Sequence, residues 1–225
     1  MEGFNVWNGI EIRDRVAPFT EGIKALSEFP TSIVGDVTGR LVGTSELHPI
    51  NKSLVKACGN AVTVKARSGD NLMIHLALRM LQPGDVLVVD GEGDITRALF
   101  GEIMMSVAKA KGAVAAVIDG AIRDVQAFES ANFPCWARGV NLRGPYKDGP
   151  GAVNVPVAIG DLIIHPGDIV LGDSDGVVAF SQKVALEVAQ FGRDKLAQEE
   201  STLNAIKAGT YNDSWIDLVL KQKEC

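Results

Sequence analysis

PGDVLVVDGEG (residues 83–93) and PGDIVLGDSDG (166–176) are two copies of one pattern. Each has a Pro-Gly turn, an aspartate, an apolar run, a second aspartate and a glycine. The turn feeds a strand buried on both faces, and the polar end is a loop at the strand's exit. After the first copy, residues from about Arg97 to Lys111 read as a helix ended by Gly112, and AVAAVID (113–119) reads as a second buried strand. Strand, helix, strand in this span is a βαβ unit with parallel strands. Two copies are reuse of a local turn solution, too few for a solenoid.

Outward from this unit, NAVTVKA (60–66) alternates and is β-branched, which predicts a strand. Asp70 then caps a helix to about Gln82, with Leu72, Leu76 and Met80 inward. Ile12, Val16, Phe19, Ile23 and Leu26 recur at spacings of three and four, predicting an N-terminal helix over about 11–28, stopped before Pro30. TSIVGDV (31–37) reads as a short strand. Short strands broken by glycine fill 133–180: CWARGV, AVNVPVAI, DLIIH, DIVLG and GVVAF. A C-terminal helix covers about 182–208, with apolar positions Val184, Val188, Phe191 and Leu196 suited to docking on a partner, and Trp215 is the anchor expected of the tail. Residues 1–225 read as one α/β domain with a β-rich second half.

The chain of 225 residues is 46% hydrophobic and 22% charged, which fits a globular domain with a substantial core. Its formal net charge of −6 argues against a nucleic-acid partner, since a phosphate backbone is held mainly by Lys and Arg. No run approaches the roughly 18 apolar residues needed to span a bilayer, so no membrane partner is expected. MEGFNVWNGIEIRDR lacks the basic region and apolar core of a signal peptide, and a cytoplasmic location is the expectation. Cys58, Cys135 and Cys225 lie far apart and read as reduced thiols, the first two as small core residues.

Several familiar chemistries fail on spacing. Gly91 and Gly93 would need a third glycine at 96 for a dinucleotide or methyl-donor fingerprint, and that position is Thr96. His48, His75 and His165 have no zinc-site spacing. Carboxylates remain: Asp90, Glu92, Asp94, Glu102, Asp119, Asp124, Asp173 and Asp175 all fall at predicted strand exits or the helix start beside them, where open α/β sheets place ligands. Mg²⁺ or Mn²⁺ prefers oxygen ligands and often takes only one or two carboxylates.

Arg-Asp occurs three times, at 13–14, 123–124 and 193–194, but only Arg123-Asp124 follows an apolar strand and a glycine turn. The start of the preceding helix, FGEIMMS, offers free amides for an anion. In a βαβ unit both features sit at the same end of adjacent strands. Amides, a guanidinium and a metal ligand together suit an α-keto acid whose keto oxygen becomes an enolate, as in a metal-dependent aldolase or β-keto acid decarboxylase. The bland alternative is an exposed ion pair.

GEIMMSVAKAKGAVAAVIDGAIRD (101–124) resembles the signature of the RraA-like family, an acidic residue, twenty positions, then Arg-Asp. VTVKARSGDNLMIHLAL, PGDVLVVDG, RGPYKDGPGAVNVPV and PGDIVLGDSDGVV extend the resemblance over about residues 30–210. The family includes the class II 4-hydroxy-4-methyl-2-oxoglutarate/4-carboxy-4-hydroxy-2-oxoadipate aldolases. The resemblance implies an α/β fold like the swivelling phosphohistidine domain, a sandwich assembled into homotrimers or hexamers. It implies substrate contacts from Gly101, Glu102, Ile103 and Met104, with Arg123 on the keto oxygen and Asp124 on Mg²⁺ or Mn²⁺. It further implies a glutamate from the neighbouring subunit's C-terminal helix, assigned to Glu199 or the adjacent Glu200. Glu102 and Glu199 would orient the water that deprotonates the substrate's C4 hydroxyl. The implied activity is cleavage of a 4-hydroxy-2-oxo acid to pyruvate and a second keto acid, with oxaloacetate decarboxylation on the side. The alternative is a non-catalytic inhibitor of a ribonuclease, the role of the family's namesake, whose shorter chain lacks the long C-terminal helix. Two departures bear on the substrate. The family often has Asp at the Glu102 position and an acidic residue three after the Arg-Asp pair, where this chain has Ala127, with Glu129 two further on.

Overall fold

A computed structural model of the protein describes residues 3–5, 8–40, 42–44, 46–53 and 56–223, with side chains from residue 8 onward; Cys225 lies outside them. The chain opens with strands β1 (Gly3–Asn5) and β2 (Ile10–Ile12) and helices α1 (Thr20–Leu26) and α2 (Thr31–Val37). Strand and helix then alternate: β3 (His48–Pro49), β4 (Ala57–Ala66), α3 (Leu72–Met80), β5 (Asp85–Asp90), β6 (Ala98–Phe100), α4 (Glu102–Ala110), β7 (Ala115–Ile122), α5 (Val125–Ser130) and β8 (Cys135–Val140). Strands β9 (Gly151–Val153), β10 (Val157–Ile159), β11 (Leu162–Ile164), β12 (Ile169–Gly172) and β13 (Val177–Phe180) follow, then α6 (Ala185–Lys207) and α7 (Trp215–Gln222).

β4, β5, β7 and β8 are adjacent and parallel, so their carboxyl ends share one edge. The helices between them pack on one face, where Ile74 and Leu78 of α3, Met105 of α4 and Phe128 of α5 meet Val64, Leu87 and Ile118. The opposite face carries the β10–β11 hairpin against Val86, Val88, Val117 and Trp136. A third cluster joins α1, α2 and α6 to β12 and β13. The expected βαβ unit is present, and it is one of three in succession. The result is a mixed α/β sheet with a long C-terminal helix.

The repeated Pro-Gly-Asp turn has one physical form in both copies. Gly84 and Gly167 sit at φ 88° and 85°, the left-handed position that a turn with Pro before Gly requires. Each following aspartate accepts the amide three residues back, Gln82 to Asp85 Oδ2 at 2.8 Å and His165 to Asp168 Oδ2 at 2.7 Å. The turns flank β4, but β5 runs parallel to it and β12 antiparallel. The same local pattern therefore delivers the two strand exits to opposite ends of the sheet.

Several expected elements differ. The helix over 11–28 is confined to Thr20–Leu26, because Pro18 interrupts the run and Ile10–Ile12 joins the sheet beside β9. TSIVGDV is a helix, capped from a distance by Asp173, which accepts the Thr31 amide at 2.7 Å and its hydroxyl at 2.6 Å. The helix expected from Arg97 begins at Glu102; Ala98–Phe100 is a buried strand on the end of β7. In α3 the buried face is Met73, Ile74, Ala77 and Leu78, with Leu72, Leu76 and Met80 at its flanks. The helix over 182–208 is present as a short 3-10 turn and α6. Val188 and Leu196 of α6 face the chain's own core, leaving Phe191, Leu203 and Ile206 exposed. Trp215 is not the buried anchor expected: it is 55% exposed, its indole nitrogen donates to the Tyr211 hydroxyl at 3.3 Å, and no described residue of α7 is buried. Cys135 is buried and Cys58 nearly so, and burial pushes the Cys58 thiol up to about 12 and raises that of Cys135. Both are inert core thiols. Among the described residues, no helix is long and apolar enough to cross a membrane.

Candidate active site

β6 ends at Phe100, and its carbonyl accepts the Arg123 amide at 3.0 Å, tying the exit of β7 to the start of α4. Gly101 stands between them. A Cβ there would lie 2.7 Å from Asp124 Oδ2 and 3.0 Å from Arg123 Cγ, so only glycine permits this approach. Asp124 stands at the N-cap position of α5 without a side-chain hydrogen bond to that helix, and its left-handed φ of 59° accompanies a carboxylate turned back towards α4. Its Oδ2 accepts the Glu102 amide at 3.1 Å. The amides of Ile103 and Met104 lie in the first turn of α4, where no intrahelical carbonyl reaches them.

Arg123 Nε is 3.6 Å from Asp124 Oδ2, too long for a hydrogen bond, and both side chains are 43% exposed. The pair is therefore not closed upon itself, and both groups can take a ligand. Two cavities meet at Asp124. One is lined by Asn71, Gly101, Ile103, Met104, Arg123 and Pro145, among others. The other is lined by Glu102, Val125, Gln126 and Ala127 with Asp124. The expected residues Gly101, Glu102, Ile103, Met104, Arg123 and Asp124 thus come together around two cavities that share Asp124.

The remaining candidate carboxylates do not join Asp124: most are engaged in local bonds, while Glu92 and Asp175 line two separate cavities. Asp119 is buried and paired with Arg138, which also holds Glu46 at 2.5 Å. Asp94 accepts Ser68 and the Thr96 amide, and Asp90 accepts the Glu92 amide. Asp173 and Asp175 follow β12, at the opposite end of the sheet from Asp124. Glu129 does not replace the missing acidic residue at 127, because it binds the Lys52 amide and the Ser53 amide and hydroxyl. That engagement, Ser53 foremost, holds its carboxyl below the ordinary glutamate range. The glycines of DGEGD make a tight turn: the Gly91 and Gly93 amides both donate to the Asp119 carbonyl, at 3.1 and 3.2 Å.

Glu199 does not meet Asp124 through any contact within the chain. It lies on α6, which packs on α1 and α2, and pairs with Lys195 at 3.3 Å, while Lys195 reaches Asp36 of α2 at 3.0 Å. Those two carboxylates, Asp36 first, hold the Lys195 ammonium above its ordinary range. Glu200, beside it, is exposed.

Among the described residues, no group of three or more His, Cys, Asp or Glu side chains could enclose a metal. The donor set fits a different kind of site. Asp124 Oδ1 has no hydrogen-bond partner among the described residues and stands at an open ledge, suited to one inner-sphere bond to a hard cation that keeps several waters. Asn71 is the residue that sequence reasoning missed. It follows the helix-capping Asp70, and the local signal there reads only as a helix start.

Comparison with known proteins agrees with this architecture. Residues 25–179 match the RraA-like family, described as Aldolase/RraA. A curated relative from Halalkalibacterium halodurans, named "Putative 4-hydroxy-4-methyl-2-oxoglutarate aldolase", is 39% identical over 178 residues, 79% of this chain and 84% of its own. An uncharacterized protein of Pseudomonas syringae pv. tomato superposes with a TM-score of 0.78 at 25% identity, covering 88% of this chain and 93% of its own. RraAS2 of Streptomyces coelicolor, an unusual member of the RNase ES inhibitor RraA protein family, gives 0.73 at 27% identity, covering 82% and 96%.

Proposed function

The chain belongs to the RraA-like family, and from that premise we propose that it is a divalent-metal-dependent aldolase. It cleaves a 4-hydroxy-2-oxo acid to pyruvate and a second keto acid, with oxaloacetate decarboxylation as a side activity. The observation that carries this reading is the meeting of the first-turn amides of α4, the Arg123 guanidinium and the Asp124 carboxylate at one cavity. The relative named as an aldolase supports the same class of chemistry.

In this reading the substrate's C1 carboxylate sits on the amides of Ile103 and Met104 at the positive end of α4. Arg123 donates to the C2 keto oxygen. Asp124 would hold Mg²⁺ or Mn²⁺, which when bound would supply Lewis-acid stabilisation of negative charge at the keto oxygen. Glu102, exposed at the rim, orients a water that takes the C4 hydroxyl proton. The C4–O electrons form the new carbonyl, the C3–C4 pair moves to the pyruvyl half, and its enolate oxygen stays on Arg123. The proton that the water took is returned to C3, which completes pyruvate.

The direct test is pyruvate release from a panel of 4-hydroxy-2-oxo acids and oxaloacetate. Activity is expected with Mg²⁺ or Mn²⁺, lost in excess chelator and restored by the metal. Full turnover in chelator would refute the metal dependence. Total inactivity on the panel would favour the inhibitor reading, which the likeness to RraAS2 supports.

The second glutamate of the site is Glu199 of a neighbouring copy, with Glu200 the adjacent choice, in a homotrimer or hexamer. Support comes from the exposed apolar residues Phe191, Leu203 and Ile206 of α6 and Trp215 and Leu218 of α7, which ask for cover. Asp124→Asn and Glu199→Ala proteins are then each nearly inactive. Co-refolding equal amounts restores activity at about one quarter of the sites, those whose two halves are both intact. Mixed oligomers that stay dead would overturn the shared site, and a fully active Glu199→Ala protein would transfer the role to Glu200.

A further inference from the structure

We propose that Asn71 is a positioning residue of the carboxylate subsite, bracing the amide cradle and holding a water against the bound carboxylate. This rests on the proposed binding of a 2-oxo acid.

Asn71 is 3% exposed and lines the cavity that contains Gly101, Met104 and Arg123. Three segments converge on it. Its backbone amide donates to the Tyr146 carbonyl at 3.0 Å, fastening the loop that carries Pro145 into the same cavity. Its side-chain Nδ2 donates to the Leu99 carbonyl at 3.0 Å and lies 3.2 Å from Met104 Sδ. Leu99 and Met104 stand on either side of Gly101, so one amide group sets the spacing between β6 and the first turn of α4.

That bonding also fixes which way the amide faces, since the reverse orientation would set its oxygen against the Leu99 carbonyl. Oδ1 is left buried, with no hydrogen-bond partner among the described residues. Buried acceptors of this kind are uncommon and need a donor. Asn154 Oδ1 shares the condition, but Asn154 is absent from the walls of this cavity. The head of a 2-oxo acid consists of acceptors only, so it cannot satisfy Asn71 directly. A water can, giving one hydrogen to Oδ1 and the other to the carboxylate beside the α4 amides.

The test is pyruvate binding with Mg²⁺ present, measured by calorimetry on the wild type, Asn71→Asp and Asn71→Ser. Asn71→Asp keeps the size but loses the donor to the Leu99 carbonyl and sets a negative charge beside the ligand's carboxylate, and Kd should rise about tenfold or more. Asn71→Ser retains a small acceptor and should fall between that variant and the wild type. Thermal unfolding of each variant monitors the fold. The crystal structure with pyruvate should show a water within about 3.2 Å of both Asn71 Oδ1 and the carboxylate. Unchanged Kd in both variants, or a protein group bonded to Oδ1 in that crystal, would overturn the proposal. A wild type that does not bind pyruvate would refute the 2-oxo acid reading itself, a result distinct from either.

Discussion

Asp124→Asn is expected to lose about 10³-fold or more in turnover while remaining folded, because a Lewis acid contributes several kcal/mol to stabilising the enolate. The choice of asparagine follows from the backbone. Residue 124 sits at φ 59°, a conformation that Asn tolerates better than most residues, whereas alanine would add strain there. The Asn side-chain oxygen can still accept the Glu102 amide, the contact that ties α5 to α4. What is lost is the negative charge facing the cation. Turnover at saturating Mg²⁺, Mn²⁺ binding followed by electron paramagnetic resonance and a thermal melt together check this. Weak metal binding, lost turnover and an unshifted melt are the expected set. Wild-type turnover in the variant would remove Asp124 from the metal.

Arg123→Lys is expected to cost on the order of 10²–10³ in kcat, comparable to removing one oxyanion donor. Lysine keeps the charge but not the planar fork, which can hold a keto oxygen and a neighbouring acceptor together. The Arg123 guanidinium is not locked by Asp124, since Nε stands 3.6 Å from the carboxylate Oδ2, so its geometry is available to the substrate. Steady-state kinetics on oxaloacetate and the best aldol substrate should show the loss mainly in kcat. A variant with near-normal kcat would reduce Arg123 to the exposed half of an ion pair.

The central βαβ unit was readable because its signals are local. A Pro-Gly turn needs a left-handed glycine, and buried parallel strands read as unbroken apolar runs. The Arg123-Asp124 exit and the α4 start could be placed together on the same grounds. Misreadings came where a distant group decided the outcome. TSIVGDV carries strand-like residues, yet the Asp173 carboxylate, 142 positions away, caps it as a helix. Ala98–Phe100 continues a helical pattern, yet its backbone completes the edge of β7.

The two Pro-Gly-Asp copies divide what each level determines. Sequence alone settles the turn, the aspartate that closes it and the buried strand that follows, because each depends on residues within about ten positions. It also settles which glycine can stand beside Asp124 once the two meet. Tertiary structure alone decides that β5 pairs parallel with β4 and β12 antiparallel. That one difference leaves Asp90 at the carboxyl edge that β5 shares with β7 and Asp124, and consigns Asp173 and Asp175 to the other end. Pairing direction depends on the packing of whole strands and their crossover helices, and an identical eleven-residue pattern cannot carry it. Asn71 belongs to the same level: its side chain acquires a role only when Leu99, Met104 and Tyr146 close around it.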